Sequence, residues 1–378
     1  MPLYRDPVDG VVVEARSLRA WTQALLEQLD TPADLASDVA EVLVASDLRG
    51  IASHGVARLA QYLALVKAGV LDPVARPVKE KGRPALARFN ANNGWGQPAA
   101  RIATDDAIYR ARELGVAISL VRNTNHYGIA GWYAMRMARN GLIGVSLTNA
   151  ASMVAPTRAR IPMLGTNPIA VAAPAGRFGM VVLDMATSTV PRGRIEVAAR
   201  RGESIPEGWA IASDGSVART PEAALAGALQ PLGGGEATGG YKGYGLALIV
   251  ELLTGVLGNA ACGPNILGLF STAGNSNLGQ FFMAIDPAAL DDGETDEPGF
   301  EKRLENLVEA LTDAPSIPNA PGPVLYPGQP EAERAAYQEI HGITLDRQTH
   351  ASLLGQAAEH KVPFPATRRI PEGSAAEG

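Results

Sequence analysis

Gly94-Trp95-Gly96-Gln97-Pro98-Ala99 decides between two kinds of sheet. The stretch satisfies G-x-G-x-x-A and leads into a predicted helix over Ala99 to Leu114, as a dinucleotide-binding turn does. A Rossmann unit also needs an acid at the end of the next strand, to hold the ribose. That strand, Val116 to Val121, runs into Arg122 and Asn123 instead. Without the acid the fingerprint is incomplete, and Gly94 and Gly96 read as turn glycines.

Downstream, Leu142 to Leu147, Ile169 to Ala173, Met180 to Met185 and Gln280 to Ile285 are further β-rich runs separated by polar or glycine-rich turns. Helices over Ile129 to Arg139 and Tyr244 to Leu257 lie among them. Upstream the chain reads as helix, with no strand pattern before Pro77. Ser17 opens a helix to Leu29 carrying Leu18, Trp21, Leu25 and Leu29 at three- and four-residue spacing. Thr31-Pro32-Ala33-Asp34 starts a second helix, and a third runs from Gly55 to Lys67. Helices return at Phe300 to Leu311, Glu331 to Ile340 and Leu345 to His360. The acidic segment Asp286 to Gly299 is the expected crossover, and Arg368 to Gly378 reads as disordered. The organisation expected is α+β: a helical domain from residues 1–80 and 299–365, an α+β domain over 81–298, and a disordered tail over 366–378.

Composition limits the partners. Of 378 residues, 46% are hydrophobic and 19% charged, the balance of a globular protein. Net charge is −6, and the densest basic stretch, Arg192 to Arg201, is short and interrupted, which argues against nucleic acid. The one cysteine, Cys262, excludes an intramolecular disulfide. The N-terminus lacks the apolar core of a signal peptide, and Glu251 interrupts the apolar run Gly245 to Leu257. A cytoplasmic protein without membrane contact is expected.

Several polar groups invite chemistry. In Ser53-His54-Gly55-Val56-Ala57-Arg58 the serine is by default a helix cap, while His54 and Arg58, four apart, would share one helical face. A guanidinium disfavours protonation of a neighbouring imidazole unless an anion sits between them. Arg58 has the planar fork for a carboxylate, and His54 has a proton to donate near neutral pH. The bland alternative is surface decoration. Asn123 to Gly128 joins a strand to a helix, either as an anion-facing loop or as a polar turn with a capping asparagine. Asp184 ends an apolar run and is either a helix cap or an orienter of a ribose or histidine. Lys242 lies in a glycine-rich loop without P-loop spacing, where it would suit a pyrophosphate or ribose. His54, His126, His341, His350 and His360 show no H-x-x-x-H or H-E-x-x-H pairing, so no metal is expected.

Seven segments, in order, resemble the type-2 malate/L-lactate dehydrogenase family. They are Asp47 to Arg58, Asn93 to Gln97, Arg122 to Gly128, Leu164 to Pro168, Leu183 to Ser188, Ile205 to Ala210 and Lys242 to Leu248. The family also holds L-sulfolactate, ureidoglycolate and 2,3-diketo-L-gulonate dehydrogenases and piperideine/pyrroline-2-carboxylate reductases. The resemblance implies a non-Rossmann, mostly antiparallel mixed sheet that binds the cofactor, a helical domain from both termini, and a homodimer. It implies reduction of a small 2-oxo acid to the L-2-hydroxy acid with NAD or NADP as cofactor, and the reverse oxidation. Cyclic imine reduction is the alternative within the family.

By the same resemblance His54 is the proton donor, Ser53 its partner and Arg58 the carboxylate clamp, with Thr166 and His126 near the substrate. The cofactor would meet His126, Tyr127, Gly128, Ile129, Ala130, Asp184, Met185, Ala186, Tyr241, Lys242, Pro327 and Gly328. Three departures bear on detail. Tyr241 stands where many relatives have histidine. Pro191 to Arg194 lacks the aspartate that some imine reductases use, which favours 2-oxo acids. Gln329, Pro330 and Glu331 replace an arginine-bearing loop, which favours NAD, although Arg200 and Arg201 would pull toward NADP. Outside the family, a metal-assisted lyase or hydrolase using His54 and His126, or a non-catalytic binding protein, are the rivals.

Overall fold

The structure is a computed structural model that describes residues 10–269, 271–290 and 298–370. Residues 291–297 of the acidic connection, residues 371–378 of the tail and the Arg200 side chain lie outside it.

β1 (Val11–Val13) leads into α1 (Ala15–Glu27) and α2 (Ala33–Leu48). The three- and four-residue spacing of Leu18, Trp21 and Leu25 puts all three on one buried face, where they pack with Leu35, Val39 and Leu43 of α2. Two single 3-10 turns, Ala52–His54 and Val56–Arg58, precede α3 (Leu59–Lys67). The expected helix from Gly55 is thus four residues shorter, because Gly55 is extended (φ −90°, ψ −152°) and breaks the spiral.

Next come β2 (Val78–Arg83), β3 (Leu86–Asn90), α4 (Gly96–Leu114), β4 (Val116–Thr124), α5 (Ala130–Ala138), β5 (Ile143–Thr148), β6 (Ile169–Pro174) and β7 (Met180–Met185). A small unit follows, built on α6 (Arg192–Arg201), α7 (Pro221–Ala226) and the short pair β8 (Ala210–Ile211) and β9 (Ala228–Leu229). Then α8 (Gly240–Glu251), continued by a π turn over Leu252–Val256, and β10 (Leu278–Ile285) complete the middle of the chain. The order across the seven-stranded sheet is β2-β3-β4-β10-β5-β6-β7, and only β3 with β4 runs parallel. Both faces are covered, so its central strands read as near-continuous apolar runs. Ala117, Val121, Phe282 and Ala284 face α4 and α5. Leu120, Leu147 and Phe281 face Val250 and Leu253 on the other side.

Gly96 packs against protein backbone. It is the first residue of α4, and a Cβ there would lie 2.3 Å from Asn125 O and 2.4 Å from His126 O. The glycine lets the helix start against the backbone of the loop after β4.

α9 (Phe300–Thr312), α10 (Gln329–His341), β11 (Ile343–Leu345), α11 (Arg347–His360) and β12 (Thr367–Arg369) end the described chain. Ile343, Leu345, Leu353 and Ala357 join the apolar cluster of α1–α3, and the Trp21 indole donates to Val362 O at 3.1 Å. Two expectations are corrected. α9 lies against the β6–β7 turn. Its Glu301 and Glu305 accept from Gly176 N and Arg177 N at the β6–β7 turn, at 3.1 and 3.0 Å. The tail expected to be disordered from 366 instead forms β12, because β1, which shows no strand pattern in the sequence, has two edges to offer. β11 takes one and β12 the other, both antiparallel. Three-residue strands are too short for a period-2 pattern to show.

Candidate active site

His54 and Arg58 do not share a helical face. They occupy the two 3-10 turns on either side of Gly55, and the arrangement is held by the backbone. Arg58 Nε donates to Ser53 O at 2.5 Å and Nη1 donates to Gln61 Oε1 at 3.3 Å. Ser53 caps no helix. Its hydroxyl pairs with His54 Nδ1 at 2.9 Å, the partnership that the resemblance implies.

His126, 72 residues further on, stacks on His54 with ring centroids 5.4 Å apart and 29° between planes. Two groups meet its Nδ1: the Tyr62 hydroxyl at 2.6 Å and Gly128 N at 3.3 Å. A backbone N–H can only donate, so Nδ1 is the unprotonated nitrogen and the proton sits on Nε2. Tyr62 donates to the same nitrogen and accepts from Gln97 Nε2 at 3.2 Å. The N-G-W-G-Q segment thus serves the site through its last residue.

This cluster holds one fixed positive charge and two imidazoles kept neutral. Burial, then the Arg58 charge, push His54 down to about 4. His126 lies well below the ordinary imidazole value, first through burial and then through His54 and Arg58. Burial raises the Tyr62 phenol. An anion beside Arg58 would lift the penalty on protonating His54, so the site is electrostatically matched to a carboxylate.

A cleft of about 190 Å³ lies next to it, lined by Arg49, Ile51, Gly131, Asp184, Pro327 and Glu331 among others. Asp184 is the next-to-last residue of β7, and its Oδ2 accepts from Gly131 N at 2.8 Å in the first turn of α5. Its carboxylate is reached by solvent from the cleft yet crowded by protein on its other sides. That crowding pushes it up to about 6, against the pull of the Gly131 N–H and Arg49. Pro327 O accepts from Val182 N at 2.9 Å. Gly328 follows at φ +89°, where a Cβ would meet Val182 Cβ at 2.7 Å, so only glycine lets the chain pass flush along β7. Two chain segments join cleft and cluster: Arg49 to His54, and the loop from His126 to Gly131.

Other expected residues are placed differently. The Tyr127 ring is core, with its hydroxyl on Ser146 Oγ at 3.1 Å, and Ile129 is buried, so neither offers a side chain to a ligand. Ala130 opens α5 beside Gly131. Met185 pairs with Ile169 in the sheet and Ala186 follows it. Thr166 O accepts from both the N–H and the hydroxyl of Thr187, at 2.8 and 3.0 Å. Tyr241 and Lys242 are exposed on α8, the Lys242 ammonium 6.0 Å from the Tyr241 ring centre. Among the described residues no hydrogen bond joins these two to the cluster or the cleft. Arg49, Ile51, Tyr62, Gln97 and Gly131 belong to the site although sequence reasoning does not single them out. Arg49 and Gln97 lie inside family-like segments, but nothing in their spacing shows what they face. Among the described residues no group of three His, Cys, Asp or Glu is placed to hold a metal, and no helix is long and apolar enough to cross a membrane.

Residues 13–354 match the family model described as malate/L-lactate dehydrogenase. The malate dehydrogenase of Pyrococcus abyssi is 46% identical over 306 residues, 80% of this chain and 82% of that protein. The L-sulfolactate dehydrogenase of Methanothermobacter thermautotrophicus is 35% identical over 335 residues, 89% of this chain and 93% of that one. The crystal structure of Entamoeba histolytica malate dehydrogenase superposes with a TM-score of 0.88 at 30% identity, covering 94% of this chain and all of that one. With its mixed α/β fold and its site in this arrangement, the chain belongs to the malate/L-lactate dehydrogenase family and is an oxidoreductase acting on a CH–OH group.

Proposed function

We propose that the protein reduces a small 2-oxo acid to the L-2-hydroxy acid with a nicotinamide cofactor, and catalyses the reverse oxidation. The observation that carries this reading is a guanidinium beside two neutral, stacked imidazoles, next to a carboxylate-lined cleft. Arg58 holds the substrate carboxylate, and His54 gives its proton to the neighbouring carbonyl oxygen. Ser53 keeps the His54 ring oriented through Nδ1. His126 presents Nε2–H as a neutral donor, held in that tautomer by Tyr62 and Gly128. The cleft suits a ribose of the dinucleotide: Asp184 offers a carboxylate to its hydroxyls, and the backbone at Gly131 and Gly328 allows close approach. When bound, the dihydronicotinamide supplies the hydride that adds to C2. No residue lining this cleft belongs to β3 or β4, the parallel pair of the seven-stranded sheet, in keeping with a non-Rossmann mode of binding.

The charge that lowers His54 is that of Arg58, which supports 2-oxo acids over cyclic imines. Following NADH and NADPH oxidation against a panel of both substrate classes tests this. Turnover of cyclic imines alone would overturn it. For the oxidation His54 must be neutral. With its pKa lowered to about 4, kcat/KM for the hydroxy acid should stay level down through neutral pH and fall only as pH approaches that value. An acid limb centred at about 6.5, the unperturbed imidazole value, would contradict the electrostatics of the cluster.

NADH is the preferred cofactor in this reading. Glu331 lines the same cleft as Asp184 and already raises its pKa, so a 2′-phosphate would meet two acids. The kcat/KM for NADH should exceed that for NADPH by roughly tenfold or more; a tenfold advantage for NADPH would refute the assignment.

The proposed working unit is a cytoplasmic homodimer, with terminal helices forming one domain and the sheet the cofactor-binding domain. Tyr241, Leu248, Ile249, Leu252, Val256 and Leu257 are all exposed along α8 and its π extension, an apolar strip unusual on a monomer's surface. Sedimentation at assay concentration should show a dimer. A fully active monomer would rule this out.

A further inference from the structure

We propose that Asp47 is the positioning residue of the catalytic turn: from the end of α2 it holds the backbone at Gly55 and Val56 and so fixes His54 relative to Arg58. This rests on the active-site reading above. Asp47 is only 4% exposed, and its Oδ2 accepts from Val56 N at 2.8 Å. The turn Val56–Arg58 receives no side-chain cap from Gly55, the residue before it. Asp47 supplies one from nine residues upstream, satisfying a buried donor that would otherwise be orphaned. A Cβ on Gly55 would lie 1.9 Å from Asp47 Oδ1. The φ of −90° at Gly55 is open to any residue, so this glycine is there to admit the carboxyl, not to relax the backbone.

The backbone that carries this carboxyl is itself held firmly. Gln338 Nε2 donates to Asp47 O and Leu48 O at 2.8 and 2.9 Å, and Gln338 Oε1 accepts from Thr344 N at 3.0 Å. The end of α2 is therefore clamped by α10 and β11. Burial, with a smaller push from Asp346 and against the Val56 N–H, raises Asp47 to about 8, toward the neutral acid. An amide of the same shape, with a carbonyl oxygen for Val56, is then a close substitute.

In the full-length protein, Asp47→Ala should lower kcat/KM for the 2-oxo acid about 10- to 100-fold, with the cofactor Kd nearly unchanged and faster amide exchange at Val56. Asp47→Asn should restore both the kinetics and the protection at Val56 nearly to wild type. Wild-type kcat/KM in Asp47→Ala, or an equal loss in Asp47→Asn, overturns the proposal. Should Asp47→Ala fail to fold, Gly55→Ala displaces the same carboxyl, since its Cβ would lie 1.9 Å from Asp47 Oδ1; a loss of kcat/KM with faster Val56 exchange supports the proposal and wild-type kinetics overturns it. Exchange at Val56 needs no turnover. A protein inactive on every 2-oxo acid would sink the dehydrogenase reading, whereas unchanged Val56 exchange in Asp47→Ala would sink this one alone.

Discussion

His54→Ala is expected to lower kcat for 2-oxo acid reduction by about 10²–10⁴ and to flatten its pH dependence, with cofactor binding unchanged. Hydride addition places negative charge on the carbonyl oxygen, and His54, protonated once the substrate carboxylate offsets Arg58, supplies the proton that neutralises it. The competing group is His126, whose ring stacks on His54 at 5.4 Å and is neutral as well. The hydrogen bonds separate them. His126 Nδ1 is occupied by Tyr62 and Gly128, and its loop runs on to the Asp184 cleft. His54 Nδ1 pairs with the Ser53 hydroxyl, which can donate or accept, in the turn just before that of Arg58. His126→Ala should therefore act mainly on cofactor affinity. Measuring kcat and cofactor Kd for both variants settles the roles; the reverse pattern would make His126 the acid.

Arg58→Lys should raise KM for the 2-oxo acid about 10- to 100-fold, the loss of a charge-assisted hydrogen bond, with little change in cofactor affinity. Lysine keeps the charge but offers no planar fork to a carboxylate. It also loses the bond from Nε to Ser53 O, which ties the two short turns together, so a smaller fall in kcat should accompany the KM effect. A wild-type KM in this variant would remove Arg58 from the substrate site.

Local periodicity makes most elements legible in the chain itself. Leu18, Trp21 and Leu25 announce the buried face of α1, and Met180 to Met185 is a strand over the expected residues. The G-x-G-x-x-A turn sits between β3 and α4, within the one parallel pair of the large sheet, so strand direction does not decide its role and the missing acid is what the sequence offers against a nucleotide-binding turn. The residue types at the site are legible too, because a guanidinium near an imidazole is unfavourable without an anion.

Position is not. A helix from Gly55 is a fair local reading, but the Asp47 carboxyl, nine residues back, competes for Val56 N and splits the segment into two turns. The Tyr62–His126–Gln97 chain joins α3, the loop after β4 and α4, and no local pattern reports that contact. β12 exists because β1 has a second edge, which the composition of 367–369 does not reveal. The sequence by itself determined which faces are apolar and which groups carry charge. Only the tertiary structure decided their neighbours, because desolvation and hydrogen bonding act across space between residues far apart in the chain, and these set the tautomer of His126 and the pKa of His54.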